Sequence, residues 1–243
     1  MEKAVILAAG TGNRLKPLTE SVPKCLIELS GVPLLDYSIK NLVSNDIKII
    51  RVITGYKHDE LKEYLNRRWK SILDVSYIYN SNFSSMNNIY SVFLAKEEMD
   101  DGTLLLNSDI LYDNNILKYA LKSSLDSFLL LDDFKILDSE EMKVLADENR
   151  KVLKLGKWIK PSESVGEYIG IMHLKGEERK KFFNQVEKMI DCGETDKYYE
   201  DALHKICPSI NLKWVSTEGY PWIEIDTFED LKEAEKILKK IEA

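Results

Sequence analysis

The stretch Val5–Leu29 reads VILAAGTGNRLKPLTESVPKCLIEL and joins an apolar segment to a glycine turn and fixed positive charge. Lys3 to Ala9 is apolar after its first residue, which predicts a central parallel strand buried on both faces. The turn Gly10-Thr11-Gly12 ends this segment, and Arg14 and Lys24 follow it. Ligands of open α/β sheets bind at the carboxyl ends of the strands. We therefore expect this turn to hold an anion on its backbone N–H groups.

The composition excludes several classes of protein. Of the 243 residues, 44% are hydrophobic and 31% are charged, as in an ordinary globular domain. The net charge of −7 argues against broad nucleic-acid binding, which needs a basic face. The apolar runs are too short for a membrane span or a signal peptide, so we expect a cytoplasmic protein without membrane insertion. Three cysteines and three histidines, without metal-ligand spacing, do not predict a zinc site.

Short apolar runs alternate with helical patterns through the first half of the chain. The runs KAVILAA, IKIIRVITG, LDVSYIYN, GTLLLNSDI and SFLLLDD are predicted strands, with helices between them. This series predicts an α/β fold with a doubly wound, mostly parallel but mixed sheet and helices on both faces. Beyond Asp133, MKVLADENRKVLKLGKW alternates around a turn at 147–150, which predicts a β-hairpin arm.

The opening stretch matches neither of two common phosphate-binding motifs. The P-loop pattern GxxxxGK[ST] is absent, and GxGxxG fails at Leu15. The pair LAAGTGNRLKPLT and VPKCLIEL instead resembles the nucleotidyltransferases of the sugar-nucleotide type, with their L-A-A-G-x-G-x-R loop and following P-K. The resemblance implies a Rossmann-like fold and catalytic roles for Arg14, at the β- and γ-phosphates, and Lys24, at the α-phosphate and the incoming phosphate. It implies nucleotide binding by Leu7, Ala8, Ala9, Gly10, Thr11 and Gly12.

The segment YNSNFSSMNNIYSVFLAKEEM narrows this resemblance. It is rich in asparagine where sugar-1-phosphate members commonly carry a glycine-rich segment. Its NN-x-x-S pattern resembles the cytidylyltransferases that activate phosphocholine, 2-aminoethylphosphonate and related head groups. Asn87, Asn88 and Ser91 are the matching positions, and an asparagine can both donate and accept at a base edge. The resemblance therefore implies CTP, whereas the alternative is a helix start with Asn87 as its N-cap.

The acceptor is left open between two chemistries. A quaternary ammonium such as that of phosphocholine needs an aromatic cage. The candidates for it are Trp158, Tyr168, Tyr198, Tyr199 and Trp222. An aminoalkyl phosphonate needs a carboxylate for its ammonium, and the candidates are Asp132, Asp133, Glu200 and Asp201. The alternative for each is a core aromatic or a solvated acid.

One pairing resembles the aminoethylphosphonate-type branch. Lys157 precedes the segment GEYIGI, as in that branch's lysine-then-Gly-Glu pairing. The resemblance implies that Lys157 holds the acceptor phosphate and Glu167 contacts its head group, and the alternative is a surface charge at each position. The acceptor-binding residues that we predict are Lys157, Glu167, Asp133, Tyr199 and Trp222.

Two aspartates follow predicted strands at the same edge of the sheet. Asp109 ends LLLNSDI, and Asp226 ends WIEID just before the last helix. The resemblance makes both of them ligands of Mg²⁺, a hard cation that takes carboxylate and phosphate oxygens. Many relatives carry a further acid two residues before the first aspartate, where this chain has Asn107. The alternatives are a turn residue at Asp109 and a helix cap formed by Asp226 with Glu229.

The expected activity is Mg²⁺-dependent transfer of CMP from CTP to a small phosphorylated alcohol or a phosphonate, with release of pyrophosphate. The attacking oxygen is anionic at neutral pH, so no general base is needed. The alternatives are a uridylyl-, thymidylyl- or guanylyltransferase for a sugar-1-phosphate, and a non-catalytic nucleotide-binding regulator. We expect one domain over 1–243, with a nucleotide-binding part at 1–133 and an acceptor-binding part at 134–243. The hairpin at 142–155 or the helix at 179–190 offers a contact for a homodimer.

Overall fold

The apolar segment that opens the chain forms β1 (Lys3–Ala8), the central strand of a mixed sheet. The structure, a computed structural model, describes residues 1–242. The remaining strands in chain order are β2 (Glu28–Leu29), β3 (Val32–Pro33), β4 (Ile49–Thr54), β5 (Asp74–Tyr79), β6 (Thr103–Asn107), β7 (Ile110–Tyr112), β8 (Phe128–Asp132), β9 (Lys143–Ala146), β10 (Val152–Leu155), β11 (Gly166–His173), β12 (Lys213–Ser216) and β13 (Trp222–Glu224). The helices are α1 (Leu18–Ser21), α2 (Leu34–Ser44), α3 (His58–Trp69), α4 (Asn88–Leu94), α5 (Asn114–Lys122), α6 (Gly176–Asp191), α7 (Tyr199–Ile206) and α8 (Phe228–Ile241).

The sheet is parallel at its centre and antiparallel on one side, as the sequence predicts. Its order is β10-β9-β11-β6-β1-β4-β5. The four strands β6, β1, β4 and β5 run parallel. Strand β11 pairs antiparallel with β6, β8 and β9, and β12 adds to β8 in parallel. The carboxyl ends of the parallel strands therefore meet at one edge, where the glycine turn begins.

Alternate side chains of the central strands face opposite helical layers, because successive strand residues point to opposite faces. Val5 of β1 and Leu105 of β6 pack in one core cluster with α4, α6 and α7. Ile6 and Leu106 pack in the other with α2, α3 and α5. A third, smaller cluster joins α8 to the segment after the glycine turn through Leu15. Helices thus cover both faces of the sheet.

One predicted element boundary is wrong. The run GTLLLNSDI is not one strand: β6 ends at Asn107, and β7 leaves the sheet to pair antiparallel with β13. The helix that follows the first predicted strand begins at Leu34, since Val32–Pro33 form a short hairpin with β2. Proline fixes φ and lacks an N–H, so it serves here as the residue that precedes the helix.

The predicted hairpin arm is confirmed. Strands β9 and β10 pair antiparallel. In the turn, Asp147 Oδ1 accepts hydrogen bonds from the backbone N–H groups of Asn149 and Lys151. The division into two functional parts at residue 133, and the use of this arm in a homodimer, stay predictions. None of the helices in residues 1–242 combines the length and the apolar character that a bilayer span requires.

Candidate active site

The glycine turn is packed against the segment that carries Lys24. Gly12 has φ of 62°, in the left-handed region that favours glycine. A Cβ at this position would lie 2.9 Å from Thr19 Cγ2 and 3.0 Å from Lys24 Cβ. Thr19 Oγ1 donates a hydrogen bond to the Gly12 carbonyl at 3.0 Å. The turn and the proline-lysine segment therefore form one unit at the end of β1, with buried Leu15 as its anchor.

Three carboxylates come together beside this unit, and the ribbon of β7 and β13 positions them. Asp109 precedes β7, Glu224 ends β13, and Asp226 precedes α8. The Ile225 N–H donates to the Asp109 carbonyl at 2.9 Å, which extends the ribbon to the acids themselves. One carboxylate oxygen from each of the three lies within 4.8 Å of the others.

Lys24 and Arg14 neutralise part of this acidic cluster. Lys24 Nζ donates to Asp109 Oδ2 at 2.7 Å and to Asp226 Oδ1 at 2.5 Å. Arg14 Nη2 donates to the other oxygen of Asp226. Burial alone would lower the pKa of Lys24, but the two aspartates raise it above its ordinary value. Burial alone would raise the pKa of Asp226, yet the ion pairs with Lys24 and Arg14 lower it.

The sequence interpretation missed Glu224. The side chain of Glu224 lines the cavity. Two effects raise the pKa of its carboxyl group to about 8: desolvation by the cavity walls, and repulsion from Asp109 and Asp226. Glu224 and Asp226 are two residues apart in an extended segment, a spacing that places both on one side of the chain. That spacing in WIEID was the signal available.

The cluster fits a hard divalent cation. Asp109 Oδ1 is buried and has no hydrogen-bond partner among the described residues, so it has a lone pair to offer. Three carboxylates at this spacing are the oxygen ligands that Mg²⁺ prefers. The alternative for Asp226 as a helix cap is wrong, because Thr227 caps α8 and its capping-box partner is Asp230.

A cavity of about 620 Å³ opens at this edge of the sheet. The cations and acids line it, together with all six predicted nucleotide-binding residues of the opening stretch: Leu7, Ala8, Ala9, Gly10, Thr11 and Gly12. This volume is in the range of cavities that hold a small-molecule substrate. The contact of these residues with a nucleotide stays a prediction.

The asparagine segment also lines the cavity, but its side chains have structural partners. Asn87 Oδ1 accepts from the Asn88 N–H as the N-cap of α4, and its Nδ2 donates to the Asp196 carbonyl. Asn88 Oδ1 accepts from the Tyr199 N–H. Ser91 Oγ accepts from Asn80 Nδ2. The capping alternative for Asn87 is thus confirmed, and base reading by these three residues stays a prediction.

Two of the five predicted acceptor residues line the cavity, namely Lys157 and Glu167. Glu167 is buried and pairs with Lys135 at 2.8 Å, and desolvation still raises its pKa above the ordinary value.

The other three do not belong to the lining among residues 1–242. Tyr199 is fully buried beneath it, with its hydroxyl 2.9 Å from that of Tyr168. Trp222 Nε1 donates to Asp132, and Asp133 accepts from Ser216. Other groups engage these three residues, and their contact with an acceptor stays a prediction.

A family profile shows the family of this chain. The profile described as Nucleotidyl transferase matches residues 3–128, just over half of the chain, and this region holds the glycine turn, Lys24 and Asp109. The chain belongs to the nucleotidyl transferase family. It is therefore a nucleotidyltransferase, as the opening stretch predicts.

Two curated relatives support the predicted cytidylyltransferase branch. The choline-phosphate cytidylyltransferase of Streptococcus pneumoniae is 28% identical, and the match covers 98% of each chain. The CTP:phosphoglutamine cytidylyltransferase of Campylobacter jejuni is 27% identical, over 94% of this chain and 97% of that one.

Solved structures agree with the fold. The structure of the CTP:phosphocholine cytidylyltransferase from Streptococcus pneumoniae superposes with a TM-score of 0.79 at 26% identity, covering 97% of this chain and 98% of that one. The inositol-1-phosphate CTP transferase of T. maritima has a TM-score of 0.84 at 23% identity, over 100% and 96% of the two chains, which supports the fold alone.

Proposed function

We propose that this protein transfers CMP from CTP to a small phosphorylated alcohol or a phosphonate and releases pyrophosphate. The observation that carries the proposal is the convergence of Lys24 and Arg14 with three carboxylates at the mouth of the glycine turn. Fixed cations beside an oxygen-ligand site suit a triphosphate and its metal. The choice of CTP rests on the relatives named for that nucleotide and on the resemblance of the asparagine segment.

Several residues of the chain have roles in the proposed reaction. The backbone of the glycine turn holds the phosphates, and Arg14 neutralises their outer charge. Lys24 leaves its aspartates to bind the α-phosphate and the incoming acceptor. Mg²⁺, held by Asp109, Glu224 and Asp226, would supply additional neutralisation of the phosphates.

The reaction forms one bond and breaks another. An anionic oxygen of the acceptor attacks the α-phosphorus of CTP. The new P–O bond forms as the bond from the α-phosphorus to the bridging oxygen breaks, and the electron pair leaves with pyrophosphate. Lys24 stays close to the negative charge that develops, and this kind of contact typically contributes about 10²–10³ in kcat. A general base has no role, because the attacking oxygen carries no proton at neutral pH.

Pyrophosphate release tests the proposal. CTP, UTP, dTTP, ATP and GTP are each combined with Mg²⁺ and phosphocholine, phosphoethanolamine, 2-aminoethylphosphonate, glycerol phosphates, inositol-1-phosphate or glucose-1-phosphate. Turnover with CTP and a small non-sugar acceptor is the expected result. Turnover with UTP or dTTP and a sugar phosphate would contradict the choice of nucleotide while leaving the catalytic assignment intact. Nucleotide binding without turnover on any acceptor would favour the regulator.

A further inference from the structure

The wall of the cavity contains a buried acid, Glu200, with one carboxylate oxygen that has no hydrogen-bond partner among residues 1–242. Building on the proposed function, we infer that Glu200 binds a protonated amine of the acceptor, so that the preferred acceptors carry a primary or secondary ammonium with N–H donors rather than a quaternary one. The acceptor class would then be small aminoalkyl phosphates and phosphonates.

The other three acids that the sequence offers for an ammonium are already engaged. Asp132 Oδ1 accepts from the backbone N–H groups that follow it, and its Oδ2 accepts from Trp222 at 2.7 Å. Asp133 accepts from Ser216. Asp201 accepts from the Tyr198 N–H as the capping-box partner of α7. Each of these carboxylates has a structural role and lies outside the cavity lining.

Glu200 differs from them in both respects. It lines the cavity and is 6% exposed, and its Oε2 has no hydrogen-bond partner among residues 1–242. Burying a carboxylate oxygen without a donor is costly, and an ammonium of the acceptor would supply one. Desolvation raises the pKa of Glu200 to about 7 even though hydrogen bonds from its own backbone N–H, Tyr199 and Asn88 oppose the rise, and an adjacent ammonium would lower the pKa further.

A quaternary ammonium finds a poor cage here. Of the five aromatic candidates, only Tyr168 and Tyr198 line the cavity. Trp158 is 60% exposed and packs edge-on against His204 at 5.2 Å. A trimethylammonium group has no N–H donor, so it would leave the Glu200 oxygen without a partner. Two tyrosines also supply less cation–π attraction than a closed aromatic cage.

Glu200 lies between the predicted acceptor residues of β11 and the asparagine segment. Its neighbour Tyr199 bonds to Tyr168 of β11 and reaches Asn107 at the end of β6 at 3.4 Å. On its other side, the Tyr199 N–H donates to Asn88 Oδ1 at 2.9 Å, at the start of α4. Glu200 is therefore in reach of an acceptor bound beside Glu167 and Tyr168, which line the same cavity.

A graded series of acceptors tests the inference. Phosphoethanolamine, its N-methyl and N,N-dimethyl forms, and phosphocholine share one phosphate and spacer but offer three, two, one and no N–H donors. With CTP and Mg²⁺, we expect kcat/KM to fall along the series by about 10²-fold or more, as sites built for an N–H reject analogues without it. Glu200→Gln should lower kcat/KM for phosphoethanolamine about 10²-fold, with the KM for CTP unchanged. Glu194→Gln is the matched control, since Glu194 pairs with Lys205 on the surface beside the same helix.

The outcomes separate this inference from the proposed function. If phosphocholine, a glycerol phosphate or a sugar phosphate reaches the same kcat/KM with CTP as phosphoethanolamine, cytidylyl transfer stands and the inference is wrong. If Glu200→Gln weakens CTP binding instead, the acid serves the nucleotide and the inference is also wrong. If CTP gives no turnover with any acceptor, the proposed function fails first. A thermal melt of Glu200→Gln verifies that the variant folds.

Discussion

Lys24 holds together the carboxylates that would ligate a metal, so its removal should change metal affinity in a defined direction. In the protein without substrate, Lys24 Nζ lies 2.7 Å from Asp109 and 2.5 Å from Asp226. A cation that enters the cluster must displace this ammonium. In Lys24→Met the apolar side chain retains the packing on Gly12 but leaves the acids unpaired, so divalent cations should bind more tightly when no nucleotide is present.

The magnitude follows from the burial of the pair. The Lys24 side chain is 13% exposed, and those of Asp109 and Asp226 are 22% and 27% exposed. Truncating one partner of a buried charge pair typically costs about 2–5 kcal/mol. We take the lower end because the cavity admits solvent. About 2 kcal/mol corresponds to roughly 30-fold tighter binding.

Titration of the protein with Mn²⁺, followed by the EPR signal of the free ion and without nucleotide, measures this change. Lys57→Met serves as the control, because Lys57 pairs with Glu60 outside the cavity lining. Activity should fall in Lys24→Met even though the metal binds better, since the phosphates lose their cation. Mn²⁺ binding that is equal to or weaker than in the wild type would refute the competition between lysine and metal.

Three further predictions follow from the same site. Asp109→Asn and Asp226→Asn should each lower kcat at least about 10²-fold while the circular dichroism spectrum stays unchanged, and near-wild-type turnover would contradict the metal assignment. Because the pKa of Glu200 rises from 4.5 to about 7 on folding, the free energy of unfolding of the wild type falls as the pH rises from 4.5 to 7. Glu200→Gln should therefore be more stable at pH 8, by up to about 3 kcal/mol in urea unfolding, and about equal at pH 4.5. Gly12→Ala should raise the KM for CTP about tenfold in steady-state kinetics, because its Cβ would press on Thr19 and Lys24.

The parts of the fold that local patterns specify could be predicted from the sequence. Strand β1 and the alternation that follows have a clear period, and Asp147 marks the hairpin turn. The ribbon of β7 and β13 could not be predicted, because it pairs residues more than a hundred positions apart and each strand is only three residues long. The family resemblance identified Asp109 and Asp226 but gave no reason to select Glu224.

The acceptor side was the hardest part to predict, for a physical reason. The sequence alone does not show which of four acids binds an ammonium group of the acceptor: Asp132, Asp133, Glu200 or Asp201. What separates them is which donors each carboxylate already has, and those donors come from distant parts of the chain such as Ser216 and Trp222. A pattern along the chain does not contain this information.

The β7–β13 ribbon also bears on how such a protein can change. The ribbon joins two distant points of the chain: Asp109 precedes one strand and Glu224 ends the other, so the segment between them begins and ends at the acidic cluster. This segment contains the proposed acceptor contacts Lys157, Glu167 and Glu200. Replacement of these three side chains would leave in place the backbone hydrogen bonds of the ribbon that space the carboxylates. Evolution could thus exchange the acceptor while the residues for nucleotidyl transfer stay constant, and the two relatives are named for different acceptors, choline phosphate and phosphoglutamine.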